Sequence, residues 1–105
     1  MKFRIFQLSV ELLPGHPQRT KERIMSYALG YTCDESVEGA KATLKEYATH
    51  FKVKIVVLGE HEEIRHLSDV KESLTKKYFA ATEAYPYCHI EPFEKQDGAE
   101  PAAPL

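Results

Sequence analysis

An α+β fold, with two helices covering one face of a four- or five-stranded sheet, is predicted by three observations. Val37, Ala40, Leu44, Tyr47, Ala48 and Phe51 recur at helical spacing. The run KVKIVVL follows at once, with the apolar content of a mostly buried strand. At the amino terminus, Phe6, Leu8, Val10 and Leu12 alternate with Gln7, Ser9 and Glu11, the period of a strand with one buried side. A helix that delivers the chain straight into an apolar strand is the unit from which layered α/β cores are built.

Taken in order, the first strand is expected over residues 2–13, with Phe3 and Ile5 adding apolar surface to its other side. Pro14, Gly15 and Pro17 stop it. Over 23–33, Met25, Tyr27, Leu29, Tyr31 and Cys33 alternate with Ser26, Ala28, Gly30 and Thr32. That pattern favours a strand over the weaker helical stripe of Ile24, Met25, Ala28 and Leu29, bulky on one side and small enough on the other for close backbone approach. Asp34 or Ser36 caps a helix over 35–49, and Glu35 suits its positive end. A strand over 51–58 follows, then a tight turn at Gly59 and Glu60, then a short exposed strand over 62–67. Asp69 and Glu72 stand at capping-box spacing before a second helix over 69–84, lined by Val70, Leu74, Tyr78 and Ala81. Pro86 ends it. The last strand, 87–91, is hemmed by Pro86 and Pro92 and belongs at a sheet edge. The expected buried centre is Val53, Ile55, Val57, Leu44, Tyr47, Val70, Leu74 and Tyr78.

From residue 23 onward the order strand, helix, strand, strand, helix, strand resembles the ferredoxin-like two-layer plait. The resemblance is one of topology, carries no family motif, and leaves the amino-terminal strand as an addition to the sheet. One domain is expected over 1–93, followed by a flexible tail, 94–105, whose EKQDGAEPAAPL offers nothing to bury.

Composition narrows function by exclusion. Fourteen Lys and Arg against sixteen Asp and Glu give a net charge of −2, without the basic surplus of a phosphate-held nucleic-acid binder. No run approaches the roughly 20 apolar residues of a spanning helix. Two cysteines far apart suit a cytoplasmic, thiol-reduced protein.

The candidate chemical motifs are weak. His61 and His66 in GEHEEIRH are five apart, about 140° around a helix, so they do not reproduce the one-turn pair of a zinc-binding HExxH. Cys33, Cys88 and His89 form a thiol, thiol and imidazole trio only if their strands pair, and even then lack a fourth ligand. No serine stands in a GxSxG elbow, and the glycines are too scattered for a phosphate loop. No catalytic residue, cofactor or metal is expected. What remains is aromatic surface: six tyrosines and five phenylalanines, with Met25, Tyr27, Leu29 and Tyr31 on one strand side. These suit a non-enzymatic module that binds another protein or a second copy of itself. The alternative is a nucleic-acid-binding plait using Lys52, Lys54 and Tyr27.

Overall fold

In the computed structural model, which describes residues 2–93, the amino-terminal alternation forms strand β1 (Lys2–Leu12). The chain turns through 13–24 into strand β2 (Met25–Asp34), the strand expected from the tyrosine alternation. The two pair antiparallel in unbroken register, from Lys2 opposite Asp34 to Glu11 opposite Met25. Main-chain groups in the connection find partners rather than standing bare: Leu13 N–H donates to the Lys52 carbonyl, and Arg19 Nη1 to the Leu12 carbonyl.

Helix α1 (Val37–Tyr47) starts where its cap predicts. The Ser36 hydroxyl accepts the Gly39 N–H at 2.9 Å, while Asp34 Oδ1 accepts the Ser36 N–H at 3.1 Å. The helix tightens into a 3-10 turn, Ala48–Phe51, and Lys52 takes a left-handed φ of 57° that redirects the chain into strand β3 (Val53–Ile64).

Here the structure corrects the sequence. The strands expected over 51–58 and 62–67 are one, because Gly59 and Glu60 together oppose Gln7 as a β-bulge instead of making a turn. A Cβ on Gly59 would stand 2.9 Å from the Gln7 carbonyl oxygen, so the bulge needs glycine for its close approach. Val56 is the extra residue of a second bulge, between the Ser9–Val57 and Val10–Ile55 pairs.

The second helix is also shorter than expected. Asp69 belongs to a 3-10 turn, Leu67–Asp69, and helix α2 (Ser73–Ala81) begins after Glu72, which makes no side-chain cap, so the predicted box with Asp69 does not form. Strand β4 (Cys88–Phe93) then runs two residues past Glu91 and, as its prolines imply, lies at an edge.

The sheet is antiparallel throughout, in the order β3-β1-β2-β4. This is an α+β chain of four strands and two helices, but neither the strand order nor the helix placement establishes the ferredoxin-like plait. Nor do the helices share a face. Phe6, Leu8, Val10 and Leu12 of β1 pack with Ala40 and Leu44 of α1, whereas the neighbouring Phe3 and Ile5, on the opposite side of the same pleat, pack with Phe79 of α2. The core is accordingly two clusters, one on each side of the sheet.

Of the expected centre, Leu44, Val53 and Val70 are enclosed, and Ile55, Tyr47 and Tyr78 are half-buried. Val57 and Leu74 stand 54% exposed: β3 is an edge strand shifted in phase by its bulges, and α2 turns Thr75 and Phe79 inward, followed by Thr82 at its C-cap. The tail expected over 94–105 lies outside the described residues.

Candidate functional site

Strand register lays out the α2 face as a grid. Across the strands it reads Lys54, Glu11, Met25; then Val57, Ser9, Tyr27, Phe93; then Gln7, Leu29, Glu91, with the Gly59 bulge beside Gln7; then Glu62, Ile5, Tyr31, His89; and finally Ile64, Phe3, Cys33. Helix α2 covers the last two rows. Phe79 sets its ring edge-on to Phe3 at 5.1 Å and to Tyr31 at 5.4 Å. A nine-residue helix is about 14 Å long, against roughly 30 Å for strands of this length, so among the described residues no helix covers the other end of the sheet.

The four residues expected to form an interaction surface therefore divide. Met25, at 53% exposure, and Tyr27 lie in the uncovered rows, and Leu29 is half-buried at their inner border. Tyr31 is under α2, where burial pushes its phenol up to about 12, with Tyr78 adding to the shift. Tyr27 stacks on Phe93 at 6.1 Å, and together with Val57 these line a shallow depression of about 190 Å³ whose floor is Gln7, Ser9 and Gly59.

Val57 and Phe93 were not legible as surface. Val57 sits in a run that reads as core until a bulge changes its phase, and Phe93 follows a proline that reads as a stop.

The boundary between covered and open halves is a polar knot. His89 Nε2 lies 3.0 Å from Glu91 Oε1, and its ring stacks on Tyr78 at 4.4 Å. The hydrogen bond from His89 holds the Glu91 carboxyl below its usual range, with help from the Tyr78 hydroxyl. Burial raises the Tyr78 phenol, and Glu91 raises it further.

The nucleic-acid set does not assemble. Lys54 shares the open face with Tyr27 but pairs across the strands with Glu11, while Lys52 precedes β3 and points its Nζ back to the Gly15 carbonyl at 3.4 Å. The thiol and imidazole trio does not assemble either. Cys88 opposes Thr32 and faces the α1 side; Cys33 and His89 face the α2 side. Burial pushes the Cys88 thiol up to about 12. His61 lies in β3 against Phe6 and His66 beyond that strand's end, both exposed. Among the described residues no group of three or more His, Cys, Asp or Glu is placed to hold a metal, and no helix is long and apolar enough to cross a membrane.

Comparison of the chain with protein-family models, with curated proteins and with solved structures returns no match.

Proposed function

We propose that the protein is a small non-catalytic module that binds another protein, a second copy of itself included, on the uncovered half of the α2 face. One observation carries the proposal: Met25, Tyr27 and Phe93 are neighbours on the grid, with Val57 across Ser9 from Tyr27, in rows that α2 is too short to reach. The three rows cover about 300–400 Å² in all, in which Met25, Tyr27, Leu29, Val57 and Phe93 supply the apolar part among Lys54, Glu11, Ser9, Gln7 and Glu91, and an apolar cluster rimmed by polar residues is the make-up of a protein-binding surface. Tyrosine suits such a surface because it buries a large ring while its hydroxyl stays wet. Nucleic acid is the weaker occupant. Lys54 is set against Glu11, Glu91 lies on the same face, and the chain is net acidic. We place the module in the cytoplasm on the strength of its cysteine usage, two residues far apart in sequence.

Light scattering at low and moderate salt, with and without labelled single-stranded RNA, tests both occupants. An apolar interface gives association or protein capture that barely responds to salt and is lost in Tyr27→Asp combined with Val57→Asp. A salt-insensitive monomer that captures no protein from a cell extract overturns the proposal, and RNA retention that weakens steeply with salt replaces it.

A further inference from the structure

A second surface lies away from the uncovered sheet, where the end of α1 meets the loop that leads into β4. Tyr47 and Tyr85 meet with ring centroids 5.3 Å apart, and Tyr85 and Tyr87 follow at 6.3 Å, the planes of each pair turned about 80° to one another. His50 joins at 5.8 Å from Tyr85. Tyr85 and Tyr87 are 63% and 52% exposed, large areas for rings held in fixed array. Their positions are fixed from below: Pro86 between them is buried, Tyr87 N–H donates to the Ala84 carbonyl at 2.7 Å, and the enclosed Thr82 hydroxyl donates to the Phe79 carbonyl at 2.6 Å.

The surroundings are acidic. Tyr87 borders a depression of about 410 Å³ that Asp34 and Glu83 also line, with Thr43, Thr82 and Cys33. At the other end Glu46 stands beside Tyr47 and raises its phenol. Phosphate-bearing ligands are repelled by these carboxylates. Rings that stand nearly perpendicular in succession also offer ridges and clefts, not the flat plane on which a base stacks.

A polyproline II helix matches this relief. It has three residues per turn and a rise of about 3.1 Å, so prolines at i and i+3 stand about 9 Å apart, on the scale of three successive tyrosine rings. Its carbonyls have no internal partners and accept hydrogen bonds from phenol hydroxyls. Such segments dock in aromatic-lined grooves without first losing much chain entropy.

We propose that Tyr47, Tyr85 and Tyr87 form a cradle for a proline-rich segment of a partner protein, and that a flanking arginine of that segment enters the acidic depression between Asp34 and Glu83. The site is independent of the uncovered sheet and goes beyond the function proposed for it.

Fluorescence anisotropy on the full chain tests the cradle, using a labelled peptide with prolines at i and i+3 and one terminal arginine. Saturable binding is expected, at least tenfold weaker in Tyr85→Ala, with Glu22→Gln, at an exposed position in the β1–β2 connection, binding as the parent does. In Glu83→Gln the arginine peptide should lose part of its advantage over one carrying glutamine in its place, Asp34 keeping the remainder. Tyr85 and Glu83 are exposed, and circular dichroism melts of both variants report whether the fold is intact. Three outcomes each overturn the proposal: no saturable binding at millimolar peptide, equal binding of a peptide whose prolines are replaced by alanine, or unchanged affinity in Tyr85→Ala.

Discussion

The two faces of one sheet are finished differently. On the α1 side, a helix of eleven residues continued by a 3-10 turn runs along most of the strand length. It also lies close, because Gly30 presents no side chain: a Cβ there would stand 3.0 Å from both Leu44 Cδ2 and Leu8 Cδ1. On the α2 side a nine-residue helix rests on bulky Tyr31 and Phe3, held away by their rings, and stops short. The lesson is that β2 sets this asymmetry through its alternation. Small residues admit a helix tightly on one side, while large ones support a shorter helix and leave a partly bare apolar surface on the other.

The largest expected effect comes from removing the ring that holds α2 down. Phe79→Ala should cost about 3–5 kcal/mol in denaturant unfolding, the range for an enclosed aromatic. It should also let the Tyr31 phenol fall from about 12 toward its ordinary value, which ultraviolet titration reads directly. A loss below about 1 kcal/mol would mean that α2 is not fastened through this residue. The matching break on the other face is Gly30→Val. Its branched side chain must displace Leu44 and Leu8, so a cost of about 1–3 kcal/mol is expected, and a neutral result would show that α1 sits less closely than described.

At the boundary of the covered half, pH replaces mutation as the probe. The folded protein holds the Glu91 carboxyl below the unfolded value of 4.5, chiefly through the hydrogen bond from His89, so the unfolded chain binds the extra proton first as pH falls. The pair's contribution is whole above that value and fades as pH drops through the lower folded one. Thermal melts of wild type and Glu91→Gln should therefore differ at neutral pH and converge in acid. A constant gap across the range would assign the pair no role in linkage.

Much of this contrast was legible in the sequence. The alternation over 23–33 fixed both the strand and its two unlike sides, and Ser36 marked the start of α1. The rest failed for identifiable reasons. Gly59 reads as a turn because glycine serves turns and bulges equally, and only the approach of the Gln7 carbonyl decides between them. Leu74 reads as core because its spacing fits Val70 and Tyr78, yet Val70 lies outside the helix and cannot share its stripe. The covered and open parts of the β2 tyrosine face were illegible for a tertiary reason: in the sequence Tyr27 and Tyr31 are equivalents, and only the position of a helix about forty residues later separates them.

The smallest effect is the sharpest comparison, because the same change is made twice on one strand. Val53 and Val57 both belong to β3, four residues apart, where an unbroken pleat would put them on one side. The Val56 bulge sends them to opposite faces, Val53 enclosed under α1 and Val57 open beside Ser9 and Tyr27. Valine to threonine keeps the shape and adds a hydroxyl. At Val53 that hydroxyl is buried among apolar groups, and a cost of about 1–3 kcal/mol is expected. At Val57 it meets water, and stability should stay within about 0.5 kcal/mol of wild type. Val57→Thr should nonetheless weaken any partner held on the uncovered rows, since the apolar contact there is what desolvation would reward. Equal destabilisation at the two sites, measured by urea titration under one set of conditions, would show that the bulge does not change the strand's phase and that the open face is not open at β3.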